Sequence, residues 1–204
     1  MRFLVQLLLF TLLVISLPLQ SVGQNLHDDR AVYRIILTRV FEDNQAAYKA
    51  PKLVIMDKTS VKKDVALGFQ QEFRVLTGYF LRLNRRSVKL HPAIPRDWHD
   101  VITTDEFNSL IKAGRKLDEA ERTADAANRI VHNCATYLWR PFHMRYPESQ
   151  GVYRLSRIAF SNDRRTAMVL LSMESGCSSR DDLFILERSG RTWSTVRMYT
   201  QSEY

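Results

Sequence analysis

Glycine is scarce in this chain of 204 residues, with seven in all, and they stand apart from one another. No glycine-rich loop is present to cradle a phosphate, and no Gly-x-Ser-x-Gly elbow to present a nucleophile. Gly176-Cys177-Ser178-Ser179 comes nearest to the latter but lacks the strand-to-helix setting that the elbow requires. Histidine is thin too: His27, His91, His99, His132 and His143 fall in no ligand spacing. Cys134 and Cys177 are the only cysteines, too few without clustered histidines for a zinc site. The sequence therefore implies no metal, no cofactor and no catalytic constellation. Repeats and low-complexity tracts are absent. With 45% hydrophobic and 25% charged residues, the composition is that of a chain that packs a core.

One long apolar run exists, and it lies at the start. Arg2 precedes residues 3–17, which are apolar except for Gln6, Thr11 and Ser16. Pro18 then breaks the helix, and Ser21 and Gly23 put small side chains three and one positions before Gln24. This is the layout of a cleavable export signal, with cleavage expected between Gly23 and Gln24. About 15 apolar residues fall short of the roughly 20 that span a bilayer. The expectation is an exported soluble domain, residues 24–204, in the bacterial periplasm or outside the cell, with no transmembrane segment after cleavage. In an oxidising compartment Cys134 and Cys177 are candidates for one disulfide, if the fold brings their Cα atoms within about 7 Å.

Charge is in excess and unevenly placed. The net formal charge is +8, and residues 73–95 contain no acid while holding Arg74, Arg82, Arg85, Arg86 and Lys89. Between residues 97 and 125 acids dominate. The basic stretch, interleaved with Phe73, Tyr79 and Phe80, suits an anionic envelope component or another protein. Export argues against nucleic acid. The plainer alternative is a solvated face neutralised by the acidic stretch of the same fold.

Helices come first and strands last. Asp28 and Asp29 sit where a cap and first-turn acids belong, before Tyr33, Ile36, Leu37, Val40 and Phe41 at helical spacing. Residues 52–56 (KLVIM) read as a strand. A second helix is expected from Asp64, with Phe69, Phe73 and Leu76 inward and Gly78 interrupting it. Thr103 and Glu106 resemble a capping box for a helix that Gly114 closes. Residues 115–145 read as a long helix kinked or split at Pro141. From residue 152 the period changes. Residues 152–160 pair with 166–174, and 182–188 with 191–199 about Ser189-Gly190. Residues 167–171, apolar on both faces, form a central strand. The expected fold is α+β: a helical layer (about residues 28–146) packed on one face of a four- to five-stranded antiparallel meander (about 152–200).

Few side chains invite a chemical role. Arg157, beside Ser156 on the first hairpin strand, can clamp a carboxylate or phosphate, or pair with Glu174 or Glu187 across the sheet. Ser149 or Ser156 with His143 and Glu148 would make a small hydrolase if folding brought them together. Asp97-Trp98-His99-Asp100 reads as a surface turn. Trp139, Phe142, Tyr146 and Trp193 line either a ligand pocket or a helix-on-sheet core.

The C-terminal half resembles a pattern in uncharacterised secreted bacterial proteins. Tyr146-Pro147-Glu148-Ser149-Gln150-Gly151 corresponds to their YPxSxG turn, and Leu155-Ser156-Arg157-Ile158-Ala159-Phe160-Ser161 to their LSRVGFN strand. Thr166-Ala167-Met168-Val169-Leu170 is similar to their apolar ALVYV strand. The stretch from Leu186 to Val196, with Glu187, Gly190 and Trp193, looks like their closing LLEKxxGxWxV hairpin. The resemblance implies the fold and export, and brings no activity with it. The chain departs from the pattern in the loop around Cys177, which has one cysteine where the relatives have two; Cys177 is thereby left to Cys134 or free. The helix over 115–135 is also an addition.

Overall fold

The structure is a computed structural model that describes residues 19–60, 73–128, 137–176 and 178–203. Helix α1 (Leu19–Tyr48) carries Val32, Tyr33, Ile36, Leu37, Val40 and Phe41 as one buried stripe. It begins ahead of the expected start, so Asp28 and Asp29 lie inside the helix and do not cap it. Gly23 and Gln24 lie in the same helix. Strand β1 (Leu53–Met56) follows, then helix α2 (Arg74–Leu83), a 3₁₀ turn (Arg96–Trp98) and strand β2 (His99–Ile102). Helices α3 (Thr104–Asn128) and α4 (Arg140–Arg145) lead to β3 (Val152–Leu155), β4 (Ala159–Phe160), β5 (Thr166–Ser175), β6 (Ser178–Ser189) and β7 (Thr192–Glu203).

The strands form one seven-stranded sheet in the order β2-β1-β3-β5-β6-β7, with β4 pairing β5 beyond the end of β3. Both expected hairpins are present, joined through the long β5–β6 pairing that runs from Thr166↔Glu187 to Ser175↔Ser178. Gly190 adopts φ 61° in the β6–β7 turn, a left-handed position that glycine occupies without penalty. Two expectations need correction. The sheet has more strands than four or five, and it is mixed: β1 runs parallel to both β2 and β3. Helices also cover both of its faces.

Side-chain alternation explains the second correction. In β1 every residue is buried; Leu53 and Ile55 pack beneath α1, while Val54 and Met56 meet α3 and α4 on the other side. β5 behaves alike, with Ala167, Val169 and Leu171 under α1 and Met168 and Leu170 against Phe73, Leu76 and Phe80 of the α2 region. Strands that are apolar on both faces need two covering layers.

Local expectations also shift. Gly78 does not interrupt α2; it lies on the outer face, where an added methyl would meet nothing. Thr103 Oγ1 does accept the Glu106 N–H at 3.1 Å. The Glu106 carboxylate instead receives the Tyr146 hydroxyl at 2.8 Å. Gly114 does not close α3, which continues to Asn128. Pro141 stands in the first turn of α4, where its missing N–H costs nothing, so of the two expected outcomes the structure has a separate helix starting there and not a kink within one. Residues 61–72 and 129–136, which hold the expected cap at Asp64 and Cys134, lie outside the described residues, as does Cys177.

Candidate functional site

Ser156 and Arg157 sit in the break between β3 and β4 and serve to splice it. Ser156 is fully buried, so it does not alternate outward as the strand pattern implied. Its hydroxyl donates to the Arg157 carbonyl at 3.0 Å and accepts the Leu170 N–H at 2.8 Å. The Tyr33 hydroxyl of α1 donates to the Ser156 carbonyl at 2.9 Å. On the other side Asn84, also fully buried, accepts the Arg157 N–H at 2.7 Å and donates to the Phe80 and Arg157 carbonyls. The Arg157 guanidinium donates to the Leu83 carbonyl at 3.2 Å. Glu174 is taken by Arg154, whose Nε lies 2.9 Å from Glu174 Oε1. The pairing of Arg157 with Glu174 or Glu187 is therefore not formed.

The side chains considered for hydrolysis are engaged elsewhere. Ser149 Oγ donates to the Gly151 carbonyl at 2.9 Å and accepts the Gly151 N–H. His143 packs edge-on against Phe142 and hydrogen-bonds the Ser149 backbone; burial holds its pKa below the ordinary imidazole value. Glu148 pairs with Lys52 at 3.4 Å, and Lys52 also reaches Asp100. In the 97–100 segment, Trp98 stacks on Phe41 with centroids 4.2 Å apart, and His99 Nδ1 lies 2.9 Å from the Pro95 carbonyl. That segment turns into edge strand β2 and is more than a surface turn. The four aromatics divide: Trp139, Phe142 and Tyr146 pack with Phe107, while Trp193 lies in the core beneath α1 beside Phe160. Among the described residues, no group of three or more His, Cys, Asp or Glu side chains is placed to hold a metal ion.

The basic stretch is where the structure leaves charge open. Phe73, Leu76 and Phe80 pin α2 to the sheet, which turns Arg74, Val75, Gly78, Tyr79 and Arg82 to solvent. Arg85, Arg86 and Lys89 follow, all exposed. Val75 is 85% exposed, and the Arg82 guanidinium lies 6.0 Å from the Tyr79 ring. None of these five cations has an acidic partner among the described residues. The acidic stretch finds its own partners: Asp100 meets Lys52, and Glu106 meets Arg145 at 3.6 Å. Among the described residues no ion pair joins Asp100 or Glu106 to the basic stretch.

Sequence reading missed a charged cluster at the opposite face. Asp28, nearly buried in α1, receives Arg164 at 3.3 Å and Arg188 at 3.4 Å. Arg164 lies over the Phe160 ring and Arg188 over Trp193, so both cations are held from two sides. Neighbouring Asp29 has its pKa raised, first by burial and then by the Asp28 charge, against the lowering pull of Arg164 and Arg157. A carboxyl raised on folding supports the native state while protonated and loses that contribution as pH rises. At neutral pH the Asp29 charge is thus a cost. Asp29→Asn is expected to raise the thermal midpoint at pH 7 and to lose that gain near pH 3, where both states are protonated. A lower midpoint at pH 7 would mean that attraction to the arginines outweighs burial.

No protein-family model matches the chain, and no curated protein sequence matches it. Among solved structures, the crystal structure of a de novo designed β-sheet protein of cystatin fold is similar over 48% of this chain and 96% of its own. The identity is 9% and the TM-score 0.25.

Proposed function

We propose that the protein is an exported binding module, without catalysis of its own, that docks on an anionic lipid surface of the envelope through the outer face of α2. The observation that carries this reading is the exposed set Arg74, Arg82, Arg85, Arg86 and Lys89, interleaved with Val75 and Tyr79 and lacking internal acidic partners among the described residues. Arginines beside an exposed aliphatic and a tyrosine suit the headgroup boundary, where charge and apolar area both count. Each basic residue near such a surface contributes about 1 kcal/mol, so five give useful affinity and two or three do not. The hydrolase reading is not favoured, because the hydroxyls of Ser149 and Ser156 are spent on backbone partners. Among the described residues no helix is long and apolar enough to cross a membrane.

Sedimentation with vesicles tests this. The protein is expected to pellet with phosphatidylglycerol-containing vesicles at low salt, to be released at high salt, and to ignore pure phosphatidylcholine. Equal retention on both lipids, or none on either, would count against the reading.

A further inference from the structure

On the face of the sheet opposite α2, a cleft of about 260 Å³ opens between the last turns of α1 and strands β3, β5, β6 and β7. Its floor is apolar: Leu171 and Phe184 are buried, and the half-buried Met173 and Met198 complete it. Methionine thioethers adapt to irregular ligands better than branched side chains do. One wall is polar but already satisfied, since the Asn44 amide donates to the Tyr153 hydroxyl and both are buried.

The mouth carries two arginines with hydrogen-bonding capacity to spare. Arg180 spends its Nε on Asp182, at 2.8 Å from Oδ2. Asp182 is nearly buried and also takes a bond from Thr200 Oγ1 at 2.6 Å. The terminal nitrogens of Arg180 have no partner among the described residues, and its side chain is 47% exposed. Arg39, on the α1 lip, lies 3.8 Å from Asp43, longer than a hydrogen bond. Asp43 and Tyr48 of α1 line the same cleft as Arg180, across from its strand side.

We infer that this cleft binds a small carboxylate with an apolar tail, the carboxylate held by Arg39 and Arg180 and the tail lying on Met173, Met198 and Phe184. Guanidinium groups match carboxylates in planar, two-bond geometry. The volume is just under the roughly 300–1,000 Å³ of pockets for drug-sized molecules, so the ligand is small. Asp43, exposed beside Arg39, offers a place for an ammonium group if the ligand is an α-amino acid.

Calorimetric titration with 3-phenylpropionate, phenylalanine and the neutral 3-phenyl-1-propanol tests this. At least one of the two carboxylates is expected to bind saturably, with the alcohol about tenfold weaker or worse, the worth of a charge-assisted hydrogen bond. Tighter phenylalanine would identify amino acids as the source, and tighter phenylpropionate simple organic acids. Arg39→Gln sits on an exposed helix face, so the fold is expected to survive, as circular dichroism would verify. It is expected to weaken carboxylate binding about tenfold and leave the alcohol unchanged. Saturable binding by neither carboxylate, equal binding of the alcohol, or an Arg39→Gln protein with undiminished affinity would overturn the inference.

Discussion

Replacing Gly114 with alanine is expected to destabilise the protein by about 3 kcal/mol or more, near or above the upper end of ordinary overpacking costs. Gly114 lies within α3, facing the chain that enters α4, and a β-carbon there would fall 2.6 Å from the carbonyl carbon of Leu138 and overlap its oxygen. The obstacle is backbone, so no rotamer change relieves it. Either α3 lifts from the sheet or the segment leading to Trp139 moves, and both loosen the packing of Phe107, Trp139 and Phe142 over β1. For a chain of this size about 2–4 °C is lost per kcal/mol, so a thermal midpoint lower by about 6–12 °C is expected. A shift below about 2 °C would show that α3 and the Leu138 segment do not approach this closely. In an isolated helix the same change would stabilise, so the sign of the effect reports the tertiary contact.

The second large effect is expected at Asn84. Truncation to alanine removes the acceptor of the Arg157 N–H and the donor to the Phe80 and Arg157 carbonyls, all at a fully buried position. A buried donor left without a partner costs about 1–3 kcal/mol, and the other lost bonds add to it, for a total of about 2–4 kcal/mol. Because Asn84 ties the end of α2 to the break between β3 and β4, the damage is local first. Amide exchange at Arg157 is expected to accelerate in Asn84→Ala more than at the middle of β6. Uniform acceleration across the sheet would mean that the break is not a separate opening unit.

Both residues show where sequence patterns stop. The stripe in α1 from Val32 to Phe41, the strand around Val54 and the two C-terminal hairpins were legible because each depends on periodicity or on a local turn. The parallel pairing of β1 with β2 was not. His99–Ile102 is four residues long with one fully buried side chain, Ile102, and its partner lies far upstream in the chain. The second helical layer was also hidden, although Val54 and Met56 beside Leu53 and Ile55 already asked for cover on both sides. Gly114 read as a stop signal because a close backbone approach leaves no trace in sequence that distinguishes it from a cap. Asn84 left no signal at all: its partners are one turn back and in the strand break at Arg157.

For the candidate sites, what could be read was charge and not geometry. The basic stretch was evident from composition, but its lack of acidic partners among the described residues required the fold, which sends Asp100 to Lys52 and Glu106 to Arg145. Ser156 looked available because alternation along the first hairpin strand puts it on the outward face with Arg154, and Arg157 because an arginine on a sheet can clamp an anion. The break in the strand turned both to backbone. The Arg39–Arg180 cleft was out of reach, since its two arginines lie on α1 and β6 and line one cleft only through tertiary packing.

As proposed, the outer face of α2 with the basic segment that follows it, and not net positive charge, attaches the protein to an anionic surface. The direct test compares two triple variants of equal charge change on phosphatidylglycerol-containing vesicles. One neutralises Arg82, Arg85 and Arg86 to glutamine; the other does the same to Lys112, Arg115 and Lys116, exposed on α3. The first is expected to lose about a hundredfold in partitioning, three residues at about 1 kcal/mol each, and the second to change within about threefold. Equal losses in the two variants, or none in the first, would contradict it.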